Sequence, residues 1–410
     1  MKRLLFLLSL SLAFTVSVQA QAPHLFEHTY PIVTEEQPTI RALMDKVSID
    51  SLEATIQHLQ DYPTRQWNSR MVYEVQDWIY ETYRDYGYDS VYLHDFPVYY
   101  HDSLFETSDN VIAIKKGVRY PDEYVVCGAH YDSFNLSGGD PDSMRAPGAD
   151  DNASGTAGIM EAARLLAPCS FERSVIFCHF AAEEIGLIGS AAYAKDCAEQ
   201  RLDIVAYFNL DMIGYLEEGL DIHVNLLYTG QDSLLARYAT SLSRTYYPEM
   251  RIWQDWLAPG ADSDYSSFNR NGYPAIQAFE DTHHSSPYIH TPNDILGLSV
   301  NSMEQEKRFT ELNLGMVATL AGLVSNAVEE ERSPLVTVAP TPANAEVRLE
   351  CEEAIEEVTV YNLLGAKVMS LPVKANAVTV NTSVLSNGIY FLDIRLGDGE
   401  VSNHRLIISH

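Results

Sequence analysis

Three short apolar runs constrain this chain most, because each ends on acid or imidazole side chains. Tyr124–Ala129 runs into His130-Tyr131-Asp132-Ser133, Ser174–Ala182 into Glu183-Glu184, and Ile204–Leu210 into Asp211. Runs this short and this apolar read as strands buried on both faces, which is the habit of a parallel sheet. Helical patterns separate and flank them. Thr156–Leu166 carries an apolar face and stops before Pro168. Residues 37–60 space Ile40, Leu43, Met44, Val47, Leu52, Ile56 and Leu59 helically, 69–86 form an aromatic-rich helix ending at Gly87, and 302–328 are helical. Ser90–Tyr100 and Asn110–Lys115 alternate as strands. The expected class is α/β, a mixed, largely parallel sheet sandwiched by helices. Open sheets of this kind collect ligand sites at the carboxyl ends of their strands. Three strands therefore deliver polar residues to one edge, and the loops Gly148-Ala149-Asp150-Asp151-Asn152 and Tyr288-Ile289-His290-Thr291 add to it.

The character changes near Glu329-Glu330-Glu331-Arg332-Ser333-Pro334. Beyond it come alternating segments (Val336–Val338, Glu346–Leu349, Val358–Tyr361, Lys367–Met369, Val378–Val380, Ile389–Arg395, His404–Ile408) with turn signals at Asn387-Gly388 and Asp398-Gly399. The expected layout is an α/β domain over 23–330 and a small all-β sandwich over 335–410. At the other end, Lys2 and Arg3 precede an apolar run from Leu4 to Val18, with small-residue cleavage positions near Ala20 and Ala22. This pattern predicts a signal peptide over 1–20, since the run is short for the ~17–25 residues of a spanning helix. The mature protein is expected to be exported, without a transmembrane anchor.

Asp and Glu number 57 against 27 Lys and Arg, a formal charge of −30. That field repels phosphate backbones and argues against nucleic acid as a partner. The five cysteines show no metal-knuckle spacing, and Cys127 and Cys178 sit in apolar runs as buried thiols. One disulfide is compatible with an exported protein, but the sequence assigns none.

Several carboxylates at one sheet edge repel one another and resist ionisation. Divalent cations remove that conflict. Three ligating carboxylates and two zinc ions leave a charge that one hydroxide neutralises, which favours a two-metal centre. Mixed imidazole and carboxylate ligation suits zinc better than magnesium or calcium. In His130-x-Asp132 the carboxylate can orient the ring from its far side.

GAHYDS, APGADDNASG, AAEEIGLIGS, NLDMIGY and YIHTPND, in this order, resemble the five motifs of the di-zinc aminopeptidases related to bacterial leucyl aminopeptidase, metallopeptidase family twenty-eight. The resemblance covers about residues 36–328, including Pro63-Thr64-Arg65 and the segment SDYSSFNRNGYPAIQAFE. It implies the phosphorylase/hydrolase-like zinc-exopeptidase fold and two zinc ions. By it, Asp150 would bridge the ions across a cis Asp150–Asp151 peptide, His130 and Asp211 would complete one zinc, and Glu184 and His290 the other. Glu183 would be the general base that activates a bridging hydroxide, and Asp132 would orient His130. Peptide or protein N-termini would be the substrate, anchored by their free amine.

One stretch departs from the leucine-preferring relatives. Asp281, His283, His284 and Ser285 are polar where those relatives build an apolar side-chain pocket, so they either face solvent or shape a pocket for polar residues. Three other readings remain open at this stage. Glutaminyl cyclases share the ligand positions, although Ile289 and Glu183-Glu184-Ile185-Gly186 follow the aminopeptidase form. A carboxypeptidase for acidic peptides needs a basic clamp, for which Arg145 is one loose candidate. A zinc-stabilised surface binding module would have no use for Glu183. The tail segments VAPTPANAEVRL, VTVYNLLGAKV and LSNGIYFLDI resemble the C-terminal sorting domain of type IX secretion cargo, which implies that machinery as a partner and delivery to the cell surface or medium.

Overall fold

The structure is a computed structural model. It describes residues 22–88, 90–100, 103–256, 263–324, 336–362, 367–397 and 401–410. The signal-peptide reading, the composition change at 329–334 and the Asp398-Gly399 turn lie outside the described residues. The chain divides into two compact units, Met1–Val324 and Ser325–His410.

The first unit opens with α1 (Pro38–Met44), α2 (Ile49–Asp61) and α3 (Arg70–Asp85). A hairpin follows, β1 (Ser90–Tyr100) and β2 (Ser103–Lys115), then β3 (Tyr120–His130) and α4 (Gly155–Leu166). Next come β4 (Ser170–Phe171), β5 (Arg173–Phe180), α5 (Ile188–Glu199), β6 (Asp203–Leu210) and β7 (His223–Tyr228). The unit closes with α6 (Ser233–Tyr246), β8 (Arg251–Trp256), α7 (Asp264–Arg270), β9 (Ala275–Phe279), α8 (Met303–Ala321) and β10 (Leu323–Val324). The spacing over 37–60 is thus two helices: Asp45 ends the first, and Ser48 caps the second by accepting the Ser51 N–H at 3.3 Å. The last helix stops at Ala321 because Gly322 takes a left-handed φ of 69°, and the chain then pairs β10 with β4.

Eight strands form one sheet in the order β1-β2-β5-β3-β6-β9-β7-β8. β5, β3, β6 and β9 run parallel, β2 and β7 join them antiparallel at either side, and β7 and β8 are parallel. One face of the sheet packs Phe208, Leu210, Ile276 and Ala278 into a core with α4, α6 and α8. The other face packs Tyr207, Leu227 and Ala275 with α5 and α7, Phe268 of α7 stacking on Tyr207. The carboxyl ends of β3, β5, β6 and β9 all reach one edge, as a parallel run requires.

The second unit is an all-antiparallel β sandwich. Its strands are β11 (Thr337–Ala339), β12 (Glu346–Asn362), β13 (Lys367–Asn381), β14 (Gly388–Leu396) and β15 (Val401–Ile408). The segments Glu346–Leu349 and Val358–Tyr361 are one long irregular strand, β12. Its register against β13 shifts between Glu350 and Ile355, which lets β12 pair with β13, β11 and β14. Val347, Leu349, Val358, Val360, Leu392 and Ile394 fill its core.

Candidate metal centre

His130 ends β3, Glu183 and Glu184 follow β5, and Asp211 follows β6. The loop before α4 supplies Asp151, and the loop after β9 supplies His290. The side chains of His130, Asp151 and Asp211 converge as one group, and those of Asp151, Glu184 and His290 as a second. His130 Nε2 lies 3.3 Å from Asp151 Oδ1, 3.5 Å from Asp211 Oδ1 and 3.9 Å from Glu183 Oε2. His290 Nε2 lies 3.0 Å from Asp151 Oδ2 and 2.9 Å from Glu184 Oε2. Asp151 therefore gives one oxygen to each group.

This corrects the expectation for Asp150, which joins neither group. Gly148 adopts φ 54°, and a side chain there would collide with Ser133 Cβ at 2.6 Å and Arg65 Nη2 at 2.8 Å. After that turn, Asp294 accepts the Asp150 N–H at 2.8 Å and the Asp151 N–H at 3.2 Å. Asp150 is thereby aimed into the interior, where Oδ1 accepts the Gly214 N–H at 3.0 Å beside Glu280. Asp151 is aimed at the cleft. The cis peptide also lies one bond later, at Asp151–Asn152. Sequence offers no signal that separates two adjacent aspartates.

Asp132 sits behind His130, with His130 Nδ1 3.3 Å from its backbone oxygen and 3.4 Å from its Oδ1. The same carboxylate accepts the Glu183 N–H at 3.1 Å and the Glu184 N–H at 3.4 Å. It thus fixes two ligand-bearing loops together. Arg65, fully buried, does the same from below. It donates to the carbonyls of Tyr131, Leu59, Pro147 and Gly148. Burial pushes its guanidinium down to about 10. Ala182, Met212 and His290, each beside or at a cleft residue, take left-handed φ values of 57°, 53° and 56°, backbone positions that favour glycine.

The electrostatics call for cations. Burial raises the proton affinity of Glu183 well above the carboxylate range, and burial with the neighbouring Asp151 carries Glu184 up to about 8. Asp151 and Glu184 hold His290 up to about 10. Burial opposes charge on His130, but the carboxylates around it outweigh burial and hold the imidazolium. Burial likewise opposes charge on Asp151, and the two imidazoles overcome it and lower its affinity. Asp211 Oδ1 and Glu184 Oε1 are buried without a hydrogen-bond partner among the described residues. Among the described residues no Lys or Arg lines the cleft that holds both groups. Borderline divalent metals satisfy such a donor set by displacing the protons.

The site opens to a cleft of about 360 Å³. Besides the five ligand-type residues and Glu183 it is lined by Met212, Leu227, Tyr265, Gln277, Phe279, Thr282, Ser285 and Ile289. Of the polar loop residues singled out in the sequence, only Ser285 reaches it. Asp281, His283 and His284 face a separate cavity of about 240 Å³ with His223, Asp255 and Trp253. Asp281 Oδ2 accepts there from His223 at 3.0 Å. Arg145 is exposed and does not line the cleft. All five cysteines are free thiols, with Cys127 and Cys178 buried.

Residues 110–310 match Peptidase family M28, and 337–409 match the secretion system C-terminal sorting domain. The chain is similar to leucine aminopeptidase 1 of Fusarium vanettenii, with 30% identity over 328 residues, 75% of this chain and 79% of that one. The chain belongs to peptidase family M28. This M28 enzyme is a metallo-aminopeptidase, a hydrolase of peptide bonds from a zinc peptidase family. Among solved structures it resembles LapA of Legionella pneumophila, at TM-score 0.61 and 25% identity over 73% of this chain and 79% of that one. A glutaminyl cyclase from Bacteroides thetaiotaomicron shares the fold alone, at TM-score 0.54 and 17% identity over 66% of this chain and 97% of that one. The sorting domain marks the M28 enzyme as type IX cargo. Among the described residues no helix is long and apolar enough to cross a membrane.

Proposed function

We propose that this chain is an exported aminopeptidase carrying two zinc ions, one held by His130, Asp151 and Asp211 and the other by Asp151, Glu184 and His290. The observation that carries this reading is the shared carboxylate: Asp151 offers Oδ1 to one group and Oδ2 to the other. Bound there, the zinc pair would supply Lewis acidity toward water and the scissile carbonyl. Glu183 stands in the cleft as general base and then general acid, taking a proton from the attacking water and passing it to the leaving amine. Its burial, which raises its proton affinity, suits both halves of that task. Asp132 positions His130 and the backbone of Glu183 and Glu184. The remaining negative charge attracts the α-ammonium of a peptide, so that cleavage is confined to the first residue. The signal-peptide pattern over 1–20 and the sorting domain support release at the cell surface or beyond.

Aminoacyl chromophores assayed with chelator and with zinc restored test the reading. The expected result is zinc-dependent release from free amines, none from blocked amines, and two zinc atoms per chain. Glu183→Gln is expected to keep both metals and lose roughly 10²–10⁴-fold in turnover. Full turnover by that variant would remove Glu183 from the role. Cyclisation of N-terminal glutamine without any peptide hydrolysis would move the site to acyl transfer.

A further inference from the structure

The second oxygen of Asp211 begins a chain of hydrogen bonds whose direction is forced. Ser263 Oγ donates its single proton to Asp211 Oδ2 at 2.7 Å. Ser263 Oγ must then accept from the other neighbour, Asn209, at 2.8 Å. Asn209 therefore turns its amide nitrogen toward Ser263, and its carbonyl oxygen accepts from the Tyr207 hydroxyl at 2.6 Å. The second proton of that nitrogen points to Gln277, 3.2 Å away, so Gln277 presents its oxygen to Asn209. What is left is the Gln277 Nε2 group. It lies at the cleft and has no acceptor among the described residues, although Gln277 is only 2% exposed.

The register places this donor. Gln277 on β9 pairs with Asn209 on β6 and with Leu227 on β7. Leu227, Phe279, Met212 and Ile289 give the cleft apolar walls around it. Thr282 is occupied, donating to Asp255 at 3.1 Å and accepting from Asn225 at 2.8 Å. Among the described residues no Lys or Arg lines the cleft, and its acids are all at the metal groups.

We infer that Gln277 determines specificity by reading the side chain of the substrate's first residue, and that the cleft favours uncharged side chains ending in a hydrogen-bond acceptor, the carboxamides of asparagine and glutamine foremost. The inference rests on the aminopeptidase reading of the site. A donor covered by the substrate and left without an acceptor costs free energy, so an aliphatic side chain of equal size fills the cleft less well.

Two isosteric pairs of aminoacyl chromophores test this on the zinc-loaded, full-length protein. Asparagine against leucine compares a carboxamide with a branched alkyl. O-methylhomoserine against norleucine compares an ether oxygen, which only accepts, with a methylene. In Gln277→Met both kcat/KM ratios, polar over apolar, are expected to fall at least about tenfold. In Gln277→Glu the ether ratio is expected to fall further, because two acceptors then meet, while asparagine keeps its ratio by turning its amide nitrogen to the new carboxylate. A purely structural role for Gln277 would lower all four substrates alike. Both ratios staying within about twofold of wild type in folded Gln277→Met, or the ether ratio doing so in folded Gln277→Glu, overturns the inference and leaves the aminopeptidase reading intact. A wild-type protein that cleaves none of the four overturns both.

Discussion

Asp150 and Asp151 are neighbours, both buried, yet they belong to two different kinds of acid cluster. Asp151 meets Glu184 and Asp211 together with two imidazoles at the edge of a cleft. Asp150 meets Glu280, Asp294 and Glu306, with no imidazole among the groups that shift it, away from that cleft. Glu280 and Asp294 give their oxygens to backbone, whereas Asp150 Oδ2 and both Glu306 oxygens are buried without a hydrogen-bond partner among the described residues. Glu280 accepts the N–H groups of Tyr215 at 2.9 Å and Ser286 at 2.8 Å, and Asp294 those of Asp150 and Asp151. Burial then pushes Asp150, Glu280 and Glu306 well up, so the inner acids keep protons and tie loops together. The outer acids converge on the His130 and His290 imidazoles, and Asp211 Oδ1 and Glu184 Oε1 have no hydrogen-bond partner among the described residues. Neither acid count nor unpartnered oxygens separate the two clusters; converging imidazole partners and access to a cleft do.

The sharpest way to break this contrast is to change one aspartate at a time. Asp151→Asn removes the carboxylate proposed to be shared by the two metals and is expected to abolish stoichiometric zinc and lower kcat/KM by roughly 10³-fold or more, as for a residue acting within a unit. Asp150→Asn, which resembles the protonated acid already present, is expected to keep both zinc atoms by elemental analysis. Equal metal loss in the two variants would show that the clusters are not distinct. A smaller effect separates ligand from support. Asp132→Asn leaves every ligand in place but loosens His130 and the Glu183–Glu184 backbone, and zinc affinity or activity is expected to fall about 10–100-fold.

The contrast also explains what the sequence disclosed. His130, Glu183, Glu184 and Asp211 were legible because each ends or follows a buried strand of a parallel sheet, where the topology leaves the side chain only one edge to reach. His290 stood in a motif of its own. The choice between Asp150 and Asp151 was not legible, because it depends on the left-handed turn at Gly148 and on Asp294, 143 residues away from Asp151. The strands β7, β8 and β9 and helices α6 and α7 were not resolved as elements. The α7–β9 stretch was quoted only as a motif, and Gln277 gained meaning only when Asn209 and Leu227 came to flank it. In the second unit the periodicity marked strand cores correctly, but not that β12 continues through its irregular middle or that Lys367–Met369 and Val378–Val380 belong to one strand, β13.

The protons held by the inner cluster give a pH prediction. Asp150 and Glu280 hold theirs more tightly when folded than the ordinary carboxylate values of about 4. Below that value both states are protonated and nothing is lost. Above it the unfolded chain releases protons that the folded chain keeps, so these acids make stability fall as pH rises. Asp294, pushed up to about 6 chiefly by burial, adds the same sign between about 4 and 6. Each retained proton contributes at most about 1.4 kcal/mol per pH unit. Asp150→Asn deletes one, so its Tm against pH is expected to decline less steeply than wild type above about pH 4. A parallel decline would mean that Asp150 is ionised in the folded protein.

The smallest expected effect probes the other half of the rule, that an imidazole beside a carboxylate is not sufficient. His284 Nδ1 is 3.3 Å from Asp281 Oδ2, and His223 Nε2 is 3.0 Å from the same oxygen. The residue types match those of the metal centre. The arrangement does not: both imidazoles address one oxygen, the other oxygen accepts the His283 and His284 N–H groups, and the three side chains do not converge as the catalytic groups do. His284 is also half exposed, at 54% of its side chain. His284→Ala is therefore expected to change stability by less than about 0.5 kcal/mol, the range of ordinary surface substitutions. The zinc count and the asparagine-to-leucine ratio are expected to stay at wild-type values, since His284 faces the neighbouring cavity and not the cleft. Loss of a zinc atom on this substitution would place a ligand outside both groups that share Asp151, and the two-cluster account of the site would have to be rebuilt around the loop that follows β9.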